Sequence, residues 1–311
     1  MTRAFRFGVI TSRAEDGTTW RDRARRAEGL GYSSLLMPDH YQPQWAPTIG
    51  LTIAAESTTT LKVGTLVFAN DYRHPMMLAK EMATLDLATE GRVEVGLGAG
   101  WRRVDYEQAG TVYDRPGIRI ERMLESLAVM RALWSSAEPV DFAGKHYVLT
   151  AAEGIPQPHT PGGPPVCIGG GGRRILSAAA RHADIVAVNA TLTAGELTAD
   201  SAASASPAAF DEKLSWVRAA AGDHLAEIEL QMHCPFVSVT DDGDALARDM
   251  ARVFGASPEE ARDVPMTLIG TVAELCDTLE QRRARWGFSY VIVPDDAMDA
   301  FAPVVARLAG Q

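Results

Sequence analysis

Short apolar runs of strand length alternate with helix-length amphipathic stretches along the whole chain, and this rhythm restricts the fold more than any other feature. The strand-like runs fall at 5–10 (FRFGVI), 32–37, 61–68, 92–98, 165–169, 184–189, 228–239 and 288–293. Between them lie helical stretches with core-facing spacing. Leu78, Met82 and Leu85 recur at i, i+4, i+7, as do Ile120, Leu124 and Leu127; Val272, Leu275, Cys276 and Leu279 follow i, i+3, i+4, i+7. A last helix over 296–309 completes the final unit. Eight strand–helix units in 311 residues predict an α/β fold, a closed (β/α)₈ TIM barrel spanning 1–311 as one domain. Two stretches break the rhythm and read as insertions. Residues 138–164, after strand four, are rich in Pro and Gly; residues 191–209, after strand six, are small and polar with no basic side chain. The second is either a mobile lid or a plain loop. A further helix near 243–254 fits between strand seven and a helix at 271–286.

The net charge of −10 argues against nucleic acid as a partner, because phosphate contacts need a basic surface. No apolar stretch reaches the length of a membrane span, and the N-terminal residues alternate arginine with apolar side chains without a long apolar core. Cys167, Cys234 and Cys276 are far apart and odd in number, so they read as small buried hydrophobes and not as a disulfide framework. The histidines have no spacing suited to a metal, so no metal site is expected. A reducing cytoplasm fits this cysteine usage.

In such barrels the chemistry gathers at the C-terminal ends of the strands. Strand two runs into Pro38-Asp39-His40, followed by Tyr41 and Trp45, an unusual concentration of reactive and aromatic groups for a connecting turn. A histidine there suits proton exchange; the competing reading makes Asp39 a helix cap and His40 a surface residue. Strand four enters Gly96-Leu97-Gly98-Ala99-Gly100-Trp101 without the GxGxxG spacing. Those glycines either admit a flat ligand to the backbone or make room inside the barrel. Strand five enters Gly169, Gly170, Gly171 and Gly172, then Arg173 and Arg174 open a helix. Glycines at a helix N-terminus followed by arginines suit an anion such as phosphate. Strand three ends at Leu66-Val67-Phe68-Ala69, and His74 precedes Pro75, where it sets the helix start.

In order and spacing, RAEGLGYSSLLMPDH (26–40), the block at 63–101 and PPVCIGGGGRRILSAAARHADIV (164–186) resemble the bacterial luciferase-like monooxygenase superfamily over nearly the whole chain. Its members are (β/α)₈ barrels that use FMN or the deazaflavin F420, and this chain is most similar to the F420-dependent oxidoreductases. The resemblance implies that His40 is catalytic and Asp39 contacts the cofactor. It further implies that Leu66, Val67, Phe68 and Ala69 form a wall against the cofactor ring, with a non-prolyl cis peptide at Leu66–Val67. Gly98, Ala99 and Gly100 join that wall, while Gly169 to Gly172 and Arg173 cradle the phosphate. Trp45 and Trp101, with Phe68, would bound the substrate. The sugar-phosphate dehydrogenases of the family carry a glutamate where this chain has Trp101, the next acids being Asp105 and Glu107, and use basic residues that 191–209 lacks. An apolar or neutral small-molecule substrate follows.

Three functions are carried forward. The first is an F420-dependent oxidoreductase that transfers hydride between the deazaflavin and a small organic substrate. The second is an FMN-dependent monooxygenase supplied with reduced flavin by a separate reductase, and the third a non-catalytic flavin-binding barrel. The resemblance also implies a homodimer formed through helices on one flank.

Overall fold

A computed structural model describes residues 3–192, 195–196, 199–254 and 257–311. Eight barrel strands are present: β1 Arg6–Ile10, β2 Ser34–Met37, β3 Lys62–Thr65, β4 Val93–Gly98, β5 Val166–Gly170, β6 Ile185–Val188, β7 Glu229–His233 and β8 Phe288–Pro294. All pairings between them are parallel, in the order β3-β2-β1-β8-β7-β6-β5-β4. Val63 opposite Val93 and Gly64 opposite Glu94 then close the ring. Strands covered on both faces read as continuous apolar runs, which is why the sequence displays them so clearly.

The outer helices include α1 Gly17–Gly29, α2 Pro47–Glu56, α3 Pro75–Ala88, α4 Pro116–Ser135, α5 Arg173–His182, α6 Pro207–Ala221, α7 Val272–Trp286 and α8 Met298–Leu308. Local chemistry sets their starts. The Asp16 carboxylate accepts the Thr19 amide at 2.8 Å before α1, and Thr271 with Glu274 forms a capping box on α7. Pro75 opens α3 at a position where a missing N–H costs nothing. Of the residues the spacing marks as inward, Leu78, Met82, Leu85, Ile120, Leu127, Leu275, Cys276 and Leu279 are buried, while Leu124 and Val272 are only partly so. Cys167, Cys234 and Cys276 are buried free thiols.

The lower end of the barrel is filled by a polar cluster. Arg6 donates to Glu94 and Glu229, each at 2.5 Å, and lies over the Tyr290 ring; the Tyr290 hydroxyl donates to Glu94 at 3.0 Å. Lys62 Nζ, 3.5 Å from Glu94, supplies a second positive charge to balance the two carboxylates, and the opposite end of the barrel is left free for chemistry.

The structure corrects several boundaries. The run expected as one strand at 228–239 is two: β7 stops at His233, and Phe236–Val239 pairs instead with Thr267–Gly270 outside the barrel. Pro235 explains the division, because it has no N–H to continue a ladder. The run at 61–68 is also interrupted. After β3, the Leu66–Val67 peptide is cis, and Phe68–Ala69 resumes pairing against Leu97 and Gly98. The insertion at 138–164 contains an antiparallel hairpin, Val140–Ala143 with Val148–Ala152. Within 191–209 a short helix, Ala199–Ala203, precedes α6, while 193–194 and 197–198 lie outside the described residues. The helix near 243–254 is present as Gly243–Phe254. Among the described residues no helix is long and apolar enough to cross a membrane.

Candidate active site

A cavity of about 440 Å³ opens at the C-terminal ends of the strands, within the usual size of small-molecule sites. Asp39, His40, Leu66, Val67 and Ala69 line one side; Gly98, Ala99, Gly100 and Trp101 continue the wall, and Gly169 through Arg173 form another part of it. The structure therefore brings together expected residues from β2, the segment after β3, β4 and β5. Two do not join them. Phe68 is fully buried beneath the Arg73 guanidinium, whose carbon lies 4.7 Å from the ring centroid. Trp45 turns away to stack on Trp20, at 4.9 Å between centroids and 27° between planes. Neither lies in the cavity wall, which corrects the expectations that Phe68 walls the cofactor ring and that both residues bound the substrate. Val67 and Ala69 face the cavity, while Phe68 between them points the other way into the core.

Val67 also explains glycines that the sequence left open. A Cβ on Gly98 would lie 2.5 Å from Val67 Cγ2, and one on Gly96 would lie 1.9 Å from the Thr65 carbonyl oxygen. These positions are small because the chain after β3 bulges across them. The four glycines after β5 divide similarly. A Cβ on Gly170 would strike Ile175, and one on Gly171 would lie 2.2 Å from the Ala190 oxygen. Gly172 is different: nothing lies within 4 Å of its Cβ direction. It is the N-cap of α5, with no side-chain cap, so the amides of the first turn are left without an intrahelical partner beside the cavity. Gly172 itself lines the cavity, and free amides at a helix N-terminus are the groups that bind anions such as phosphate.

Arginine supplies the charge around it. Arg173 and Arg174 are exposed at the first helical positions and line the cavity, as does buried Arg119. Arg119 Nη1 donates to the Gly100 carbonyl at 2.5 Å, its guanidinium stacks on Tyr113 at 4.1 Å, and its Nε has no partner. No carboxylate among the described residues forms an ion pair with it. A buried cation in that state suits an anionic ligand.

His40 lines the same cavity. Its Nδ1 is 2.7 Å from Asp105 Oδ2, and the Trp101 ring is edge-on to it, 5.8 Å between centroids. Asp105 is fully buried, comes from the short helix Arg103–Ala109 after β4, and also accepts the Tyr72 hydroxyl at 3.1 Å. Burial, and next Asp105, holds the Tyr72 hydroxyl well above the ordinary phenol range, so it acts as a donor. Asp39 is held just as firmly: it accepts the Ala69 amide at 3.0 Å and a two-pronged contact from Arg73.

His233 completes the wall from the end of β7. Burial pushes its imidazole down to about 4, so the ring is neutral at physiological pH, with one donor and one acceptor nitrogen for a ligand. Sequence reasoning weighed this histidine only as a metal ligand. Its position just before Pro235, at a strand's C-terminal end, was the signal that marks it as a cavity residue.

The family model for luciferase-like monooxygenase matches residues 3–290. The chain is 31% identical over 174 residues to the F420-dependent glucose-6-phosphate dehydrogenase of Amycolatopsis mediterranei, covering 52% of this chain and 50% of that protein. It is 29% identical over 170 residues to the F420-dependent hydroxymycolic acid dehydrogenase of Mycobacterium tuberculosis, covering 52% and 46%. It thus spans about half the length of the curated relatives it matches. A solved F420-dependent secondary alcohol dehydrogenase, in complex with an F420-acetone adduct, superposes with a TM-score of 0.78 at 18% identity, covering 98% of each chain. That likeness establishes the shared barrel fold.

Proposed function

This chain belongs to the luciferase-like monooxygenase family, and from that premise we propose that it is an F420-dependent oxidoreductase acting on a small organic substrate. One observation carries the reading: a single cavity joins an uncapped helix N-terminus at Gly172 to the His40–Asp105 pair. Phosphate binding and proton exchange thereby share one site. The preference for F420 over FMN rests on the F420-dependent curated relatives described above.

When bound, the deazaflavin supplies two-electron hydride chemistry. The residues of this chain do the rest. The first-turn amides of α5, with Arg173 and Arg174 beside them, hold the phosphate, and Arg119 faces the anionic part of the ligand. Val67 and the glycines of β4 shape a wall for the ring, and Trp101 and His233 bound the substrate. His40 exchanges the proton that accompanies hydride transfer at the oxygen or carbon being oxidised or reduced. An apolar or neutral substrate matches a substrate end walled by Trp101 and a neutral imidazole.

Anaerobic turnover with reduced F420 and a panel of small carbonyl and enone compounds tests this reading. Consumption of reduced cofactor with at least one of them is expected, and His40→Asn should slow it by roughly 10²–10⁴. A well-folded His40→Asn protein with full activity would remove His40 from the reaction.

A further inference from the structure

We infer that Asp105 is a positioning residue that fixes which nitrogen of His40 faces the substrate. The inference rests on the reading of His40 as the proton-exchanging group and adds a second residue to it. Sequence distance hides the pair, since 65 positions separate its members.

A carboxylate is acceptor-only, so in the 2.7 Å contact with Asp105 Oδ2 the His40 Nδ1 carries the hydrogen. In a neutral imidazole the other nitrogen, Nε2, then holds the lone pair and is the atom left to take a proton from a ligand. When it does so, the positive ring still donates Nδ1–H to Asp105. The proton rests on Nε2 and none passes to the carboxylate, so the reverse step returns it from the same atom.

Three further features hold the geometry. The Tyr72 hydroxyl donates to the same Asp105 oxygen at 3.1 Å, fixing the carboxylate in the plane where it meets the histidine. Trp101 stands at 89° to the imidazole, which limits rotation of the ring. Arg102, the residue adjacent to this helix, approaches the second oxygen only at 3.5 Å, and neither Arg102 Nη1 nor Asp105 Oδ1 has a hydrogen bond. Had the carboxylate served only to anchor its own helix, the neighbouring guanidinium would be the natural close partner. The short contact goes to His40 instead.

The experiment is nitrogen NMR of the full chain labelled in histidine, with the His40 signals identified by their loss in His40→Asn. The wild-type spectrum should show Nδ1 as the hydrogen-bearing nitrogen, and Asp105→Asn should shift population toward the Nε2–H form. Turnover of Asp105→Asn should fall roughly 10-fold to 10³-fold in kcat, with KM and cofactor affinity within a few-fold. In a His40→Asn background the same substitution should cost nothing more. A wild-type ring protonated at Nε2 would overturn the inference without any variant being needed. So would losses that multiply in the double variant. A tautomer switch with unchanged turnover in both single variants would support the positioning of His40 by Asp105 and defeat the catalytic reading of His40.

Discussion

Arg73 closes on Asp39 with both terminal nitrogens, at 2.6 Å and 3.1 Å. The pair fastens the end of β2, which carries His40, to the segment after β3, which carries Val67. Asp39 is only 5% exposed, so removing its carboxylate strands both the arginine and the Ala69 amide. Asp39→Ala should lower stability by about 1–3 kcal/mol, the cost of leaving partly buried charge and an amide unpaired. The double variant with Arg73→Ala should lose less than the sum of the single losses. Urea unfolding of the four proteins measures both; strictly additive losses would show that the pair is not coupled.

The two glycines at the head of α5 should behave oppositely. Gly171→Val drives a side chain into the Ala190 carbonyl and should impair folding before binding is examined. Gly172→Val meets open space and costs only the poorer helix cap, so the variant should stay folded with a stability loss of about 1 kcal/mol. Its valine enters the space beside the first-turn amides, and cofactor affinity should fall roughly tenfold or more, about 1.4 kcal/mol. Unaltered affinity in folded Gly172→Val would place the phosphate elsewhere.

Much of this was legible before any coordinates. The barrel strands are apolar runs punctuated by glycine and proline, and the cavity residues at 39–40, 66–67, 98–101 and 169–173 lie where strands end. What stayed hidden depended on closure of the chain. Asp105 meets His40, and Arg73 meets Asp39, only because the barrel curves their elements together. Trp45 follows His40 closely in sequence, yet the turn between them carries it to Trp20, and no periodicity marks that turn. Pro235 alone divides a stretch that otherwise reads as one strand, and missing it concealed the place of His233.

Lys213 gives a pH-dependent prediction at the edge of the site. Its ammonium is buried and donates to the Asn189 carbonyl at 2.8 Å and the Ser204 carbonyl at 2.6 Å. Burial pushes it down to about 8, from 10.5 for an ordinary lysine. Between those values the unfolded chain binds more protons than the folded one. The contribution of this group to stability therefore rises with pH across that window and is lost as pH falls through about 8. The stability of the parent relative to Lys213→Met should grow by roughly 1–3 kcal/mol between about pH 7.5 and pH 10. Denaturant midpoints at several pH values provide the check, and a constant difference would contradict the account of Lys213.

Cofactor titration of the purified chain decides between F420 and FMN. Oxidised F420 and FMN would each be added under identical conditions, with cofactor fluorescence as the readout. Saturable F420 binding at micromolar concentrations is expected, weakened in Gly172→Val, with no saturable binding of FMN over the same range. Tight binding of FMN with none of F420 would contradict the proposed F420 dependence.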